Sequence, residues 1–471
     1  MGLSLDYGAN VSLLSSRLRV KENFDIIERH LNVAGEDVCF FYVDGFTKDS
    51  EMQRLMQYLL SQKSLTDAHS LLSTLPYIEV ELGTEVDRLV TAVLSGQTLL
   101  ISSAFPTESI VIDARTYPAR STAEPDTDRV MQGAHDGFVE TLVMNTALIR
   151  RRIRDPRLTM RHFDLGGSSH TDVVMCYVDG VADKALVDTL IGKLKSLRPE
   201  GVCLGYQSLA ESLIRHGWLN PFPKIRLTER PDTASAQLLE GSVLLICDTT
   251  PQVMILPTSI FDYLEQTDDF YFPPITGTYL RLVRMTMLLL SMIVTPVWYL
   301  CLRYSDTLPD YLRFLVPDEP GALPIILQLL LIEVAIDGLK LASMNTPDML
   351  SNSLSVVGAL LLGDFAVGVG WVSEDVILYM AFVAIASFAQ QNAELGYALK
   401  LVRVATLILT HFLGIWGLVL GGVLFCLLVT TNVTVTGRFR YLYPLVPFDA
   451  RALLKVLIRD RKKDFDSEKE K

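Results

Sequence analysis

Between residues 280 and 433 the chain passes through several apolar stretches. Each is near the roughly 20 residues an α-helix needs to cross a bilayer. That feature excludes most folds open to 471 residues, because repeated stretches of this kind are buried in lipid, where helices satisfy their own backbone. Before about residue 275 charges are mixed throughout. The sequence therefore predicts a soluble half followed by a multi-pass α-helical membrane domain. The opening "MGLSLDYGANVSLLSSRLRV" lacks the basic and then apolar segments of a secretory signal, so the first half is expected to stay cytosolic.

The soluble half repeats itself. "CFFYVDGFTKDSEM" (39–52) returns as "MCYVDGVADKAL" (175–186). After each Tyr-Val-Asp-Gly comes a helical pattern, "MQRLMQYLLSQ" or "LVDTLIGKLKSL". A Thr-Glu pair, a second helix, a glycine (Gly96, Gly241) and a strand containing Leu-Leu-Ile follow in both, and each copy closes on a short apolar strand. Matching order with similar gaps implies internal duplication, and strand–helix alternation implies α/β modules. The predicted organisation is an α/β subdomain at 1–116, a linker at 117–165, a second α/β subdomain at 166–275, membrane helices at 276–433 and a basic cytosolic tail at 434–471.

Function classes fall away on composition and motif. A net charge of −12 gives no support for nucleic-acid binding. The six cysteines (39, 176, 203, 247, 301, 426) have neither metal-ligand nor redox spacing and read as buried thiols. The seven histidines are dispersed, and no phosphate loop, nucleophile elbow, zinc-protease or dinucleotide motif occurs. No catalytic residue, metal or cofactor is assigned. Asp44 and Asp179 sit in Asp-Gly turns with no His, Ser or Lys placed to share chemistry, so they read as turn residues.

The linker becomes helical from Phe138 and ends in a basic run of Arg150, Arg151, Arg152 and Arg154. Beside a membrane such a run can meet anionic headgroups. The favoured reading is a brace between subunits or domains, with Arg151, Arg152 and Arg154 as assembly residues.

The segment "MQGAHDGFVETLVMNTALIRRRIRDPRL" resembles the linker of GerA-type spore germination proteins, specifically their A subunits, although Ala134 stands where the family pattern has proline. "FPPITGTYLRLVRM" (272–285) resembles the junction into the family's first membrane helix, and "SLSVVGALLLGDFAV" (353–367) its glycine-containing helix. The resemblance runs from about residue 35 to 455. Asp364, and Ala389-Gln390 after Ala-Ser-Phe, place it nearer the stage V sporulation branch than the nutrient-receptor subunits. The resemblance implies a homo-oligomeric ring in the spore inner membrane that acts in germination as an ion channel, with other germination membrane subunits as potential partners and ions as cargo.

The first span is predicted at about 280–302, with Arg281 and Arg284 at its start holding the soluble half inside. In 323–344, Glu333 and Asp337 share a helical face with Lys340. That segment either spans with its charges inward or lies in the interface plane, the latter being preferred. In 353–371, Ser351, Ser355, Ala359, Gly363, Ala366 and Gly370 form a small-residue stripe beside a second stripe of Val357, Leu361, Asp364 and Gly368. In a ring of copies the second stripe would set a carboxylate ring beneath hydrophobic constrictions, a cation filter. The alternative is an aspartate that pairs two helices. Further spans are predicted at about 376–390 and 402–432, separated by a polar stretch with Glu394, Lys400 and Arg403, the last span interrupted by glycines. The tail ("RFRY", Arg451, Lys455, "RDRKK") is basic, so both ends lie inside and the crossings number four or six. Three functions compete: an ion channel or channel subunit, a structural subunit whose complex conducts elsewhere, and a membrane-bound enzyme, which the empty motif search argues against.

Overall fold

The computed structural model describes residues 2–77, 79–117, 130–214, 216–217, 219–317, 321–345, 366–390, 392–435, 437 and 439–459. Two compact units divide the chain: Met1–Arg215 with Ile225–Thr258, and His216–Lys224 with Ser259–Lys471.

The first unit holds two five-stranded antiparallel sheets. One is built from β1 (Ile26–Val33), β2 (Glu36–Val43), β3 (Val80–Gly83), β4 (Thr98–Ser102) and β5 (Ser109–Ile112), in the order β1-β2-β4-β5-β3. The other uses β6 (Leu158–Leu165), β7 (Thr171–Val178), β8 (Arg226–Thr228), β9 (Val243–Cys247) and β10 (Val253–Leu256), in the order β6-β7-β9-β10-β8. The identical order is the expected duplication. Its landmarks coincide: Gly45 and Gly180 have φ of 81° and 78° after the paired Tyr-Val-Asp, and Gly96 and Gly241 both have φ of 97° after a helix. Asp44 Oδ1 accepts the Gly45 N–H at 2.9 Å, as turn chemistry requires.

Each copy opens one strand before its Tyr-Val-Asp-Gly landmark. β1 pairs with β2 through an Ala34-Gly35 turn, both residues at positive φ, and β6 pairs with β7 from within the stretch 117–165. Helices α1 (Tyr7–Leu18), α2 (Asp49–Leu60), α3 (Ala68–Thr74) and α4 (Val86–Leu94) cover the first sheet. Burial along β2 shows why both faces need cover. Phe40 joins Met52, Leu55, Leu59 and Leu71 on one side, whereas Phe41 joins Leu14, Leu89 and Val93 on the other. Alternate residues of one strand thus feed two cores, and each buried phenylalanine contributes about 1.5–3 kcal/mol. Between the sheets in sequence runs α5 (Leu142–Arg152). The second sheet's helices are α6 (Lys184–Ser196), α7 (Tyr206–Leu213) and α8 (Pro231–Leu239).

The second unit is helical: α9 (Asp268–Tyr271), α10 (Pro274–Arg303), α11 (Ile325–Asn345), α12 (Glu374–Phe388), α13 (Ala393–Leu413), α14 (Ile415–Thr431) and α15 (Ala450–Leu457). Among the described residues, α10 and α13 are long and apolar enough to cross a membrane, and α14 is apolar but shorter. α10 packs on α12 and α13, as does α11, and α13 folds back on α14.

The glycine-interrupted stretch 402–432 divides at Gly414, whose φ of 64° and ψ of −134° no side-chain-bearing residue holds without strain. One sequence expectation changes here: the polar stretch before it is not a separator. Asn392 caps α13 by accepting the Leu395 N–H at 2.8 Å, and Glu394, Lys400 and Arg403 lie inside that helix.

Candidate functional site

The charges of α11 and α13 meet. Glu333 and Asp337 lie one turn apart on α11, while Lys400 and Arg403 lie three residues apart on α13. Arg403 bonds Glu333 through Nη2 and donates from Nη1 to the Ser291 carbonyl of α10 at 2.9 Å. Lys400 Nζ lies 3.0 Å from Glu333 Oε1, donates to the Glu333 carbonyl at 3.2 Å and pairs with Asp337. Lys340, one turn further along α11, stands 4.7 Å from the centre of the Tyr397 ring. Glu333 and Arg403 are buried, whereas the Asp337 side chain keeps 35% of its exposure.

Beside this cluster opens a cleft of about 180 Å³ between α11, α12 and α13. Glu333, Asp337, Lys340, Lys400 and Arg403 form its charged wall, and Met380, Val383 and Phe388 lie on the apolar side. The arrangement can hold paired charges between helices, offer Asp337 to an ion partner and lock α11 to α13. The preferred interfacial placement of 323–344 left its charges to water. Here the α11 acids are met by α13 cations instead, so no headgroup or water is needed to satisfy them. Lys400 and Arg403 went unrecognised as partners because their charges masked a helical period. Leu395, Ala398, Leu399 and Val402 recur at the i, i+3, i+4, i+7 spacing of one buried face.

Of the second stripe, Val357, Leu361 and Asp364 lie outside the described residues, as do Ser351, Ser355, Ala359 and Gly363 of the first. Gly368 ends a short helical turn, Ala366–Gly368, with nothing within 4 Å of where a Cβ would stand.

The arginine run is placed within the first unit. Arg150, fully buried, grips Asp25 through Nε at 2.9 Å and Nη2 at 3.0 Å and donates to the Leu158 carbonyl. Arg151 stands 4.4 Å from the centre of the Tyr117 ring, Arg152 holds Asp136 at 2.6 Å and 2.7 Å, and Arg154 reaches Ser95 Oγ at 3.5 Å. Two of these contacts, to Asp25 and Ser95, lead from α5 and its C-terminal end back to the first α/β subdomain, and a third reaches Tyr117 at the start of the linker. Arg281 and Arg284, read from sequence as topology signals, are also buried. Asp269 takes both, and Glu265 lies 3.2 Å from Arg281.

One group of metal-capable donors exists among the described residues: Glu28, His30 and Cys39, with ligand atoms within 4.8 Å of one another. Glu28 meets His30 at 2.8 Å, and burial raises the Cys39 thiol well above its ordinary pKa. Cys176 and Cys247 are likewise buried, with burial pushing the Cys247 thiol up to about 12, whereas Cys203 and Cys426 are exposed, contrary to the reading of all six as buried. Burial also raises the Asp44 carboxyl, and the Gly45 N–H offsets part of that rise.

Comparison with known proteins places the chain in a family context. The model of the Bacillus/Clostridium GerA spore germination protein family matches residues 14–470. Stage V sporulation protein AF of Bacillus subtilis (strain 168) is 35% identical over 96% of this chain and 92% of its own length. From the same organism, an uncharacterised membrane protein, YfkQ, is 29% identical over 86% of this chain and 80% of its own, and spore germination protein KA is 26% identical over 95% and 84%. Among solved structures, the N-terminal domain of the A subunit of the Bacillus megaterium germinant receptor GerK3 aligns over 54% of this chain and 96% of its own, with 24% identity and a TM-score of 0.42.

Proposed function

This chain belongs to the GerA spore germination protein family, and from that premise we propose that it is a multi-pass subunit of the spore inner membrane whose copies assemble as a ring around a cation pathway. Both termini lie on the core side in this reading. The observation that supports it is the charged cleft between α11, α12 and α13. A charged side chain at mid-bilayer costs roughly 2.5–3.5 kcal/mol on insertion scales, so ionisable groups persist there where they face one another, water or a permeating ion. Glu333 and Arg403 alone would be a staple. Asp337 and Lys340, on the open wall of a cleft, add groups that an ion can meet. The sequence candidates for a constriction and filter are Val357, Leu361, Asp364 and Gly368.

The ion pairing favours a second reading. Both acids are taken up by Lys400 and Arg403, and Lys340 leaves the five-residue wall with one net positive charge, which suits a structural subunit that only holds helices together. Reconstitution into planar bilayers separates the two. A pathway through this chain gives cation-selective current, with Leu361→Ala leaky and Asp364→Asn less selective though still assembled. Absence of current from correctly assembled protein leaves the structural reading.

A further inference from the structure

The last described helix, α15, presents two unlike ridges. Asp449 caps it, accepting the Arg451 and Ala452 N–H groups at 3.0 and 3.1 Å. Leu453, Val456 and Leu457 are half-buried against the rest of the second unit. Outward, Leu454 and Ile458 stand one turn apart, 55% and 53% exposed, beside the exposed Arg451 and Lys455, also one turn apart. The loop before the helix adds Leu445, Val446 and Phe448, the last 70% exposed. An apolar ridge flanked by a basic one is the pattern of a helix lying in a membrane interface.

Its position within the unit supplies the occupant. Arg281 of α10 donates from Nη1 to the Lys455 and Val456 carbonyls at 2.9 and 2.7 Å. The Arg459 N–H donates to Thr278 Oγ1 at 3.1 Å, and its guanidinium to the Phe270 carbonyl at 2.5 Å. Gly277 makes this approach possible: a Cβ there would lie 3.1 Å from Arg459 Cδ and 2.3 Å from the Asp269 carbonyl oxygen. The C-terminal end of α15 is therefore fixed to α10 at residues 277–281. Arg284 follows one turn later, and residues 285–302 carry no charge. The contact lies at the charged N-terminal end of α10, just before its uncharged stretch.

We propose that α15 and its preceding loop lie in the plane of the bilayer. Phe448, Leu454 and Ile458 enter the outer part of the acyl chains, while Arg451 and Lys455 face the phosphates of anionic lipid. The latch through Arg281 then ties the lipid surface to the foot of α10.

The test uses the full chain with Leu454→Trp, reconstituted in vesicles of phosphatidylcholine and phosphatidylglycerol, with the parent's emission subtracted. The added tryptophan is expected to emit at short wavelength, to resist aqueous iodide, and to be quenched several-fold more by lipid brominated near the headgroup end of the chain than near the methyl end. Long-wavelength emission quenched by iodide would place the helix in water and overturn the proposal. Emission shielded from iodide and from both brominated lipids would overturn it too, by showing a protein cover such as a second copy. Phe448→Trp gives an independent reading should the first variant fold poorly. Arg451→Gln with Lys455→Gln in the Leu454→Trp background is expected to weaken the shallow quenching in anionic vesicles but not in pure phosphatidylcholine. Equal quenching in both would remove the headgroup part.

Discussion

Arg150 and Asp25 are both withdrawn from water, and the guanidinium spends two nitrogens on the one carboxylate. A pair of this kind contributes little over an apolar replacement, but breaking it leaves a bare charge in the interior. Arg150→Met or Asp25→Asn is accordingly expected to cost about 3–5 kcal/mol, read as reduced denaturant resistance of the first unit. Joining Arg150→Met to Asp25→Leu should recover much of that loss, and a double variant as weak as the sum would contradict the argument. The same residue shows how far single positions were legible. The arginine run stood out in sequence as a brace between subunits or domains, and the contacts seen here lie within one chain. Which arginine is buried was not legible, because the answer rests on Asp25, 125 residues away in the chain. Glu333 and Asp337 were likewise picked out by charge in an apolar stretch, while their partners Lys400 and Arg403 were hidden by the same property.

At the scale of elements, the α13–α14 hairpin depends on missing side chains. A Cβ at Gly417 would lie 2.1 Å from the Leu409 carbonyl oxygen, and one at Gly421 would lie 2.3 Å from Thr406 Oγ1 and Cγ2, whereas Gly422 has nothing within 4 Å. Gly417→Ala must therefore push backbone against backbone and should lower the thermal midpoint of the detergent-solubilised protein sharply. Gly421→Ala should do so too, since a Cβ there would also lie 2.7 Å from Thr406 Cβ, which side-chain rotation does not move, and Gly422→Ala should leave stability within about 0.5 kcal/mol, or raise it through helix propensity. Equal effects at 417 and 422 would refute the close approach. Glycine content alone suggested a bend or break in this stretch, but not that Gly414 ends one helix and starts the next. The duplicated sheets were legible because Asp-Gly turns and helix-terminating glycines punctuate both copies. β1 and β6 were not, since "IIERHLNV" and "LTMRHFDL" mix charge into both faces, as half-exposed sheet-edge strands can.

For the whole molecule, the question is whether the α11–α13 charges serve the fold alone or also a pathway, and Asp337 separates the two. Glu333 holds Arg403 and Lys400 together, so Glu333→Gln orphans two cations at once and is expected to disrupt the bundle whichever role is true. Asp337 is different. Its side chain is about one-third exposed in the cleft, and Lys400 retains Glu333 when Asp337 loses its charge. Asp337→Asn should therefore leave folding and assembly intact while making the cleft wall one unit more positive. If ions pass this wall, cation current in planar bilayers should fall several-fold and its reversal potential move toward that of the anion. The charge acts over about 8–10 Å at physiological ionic strength, so the drop should grow as salt is lowered. If the cluster only pins α11 to α13, Asp337→Asn should match the parent in current and selectivity at every salt concentration, even as Glu333→Gln fails to assemble. That second pattern would remove the cleft from the pathway and leave any conduction to the Val357–Gly368 stripe alone.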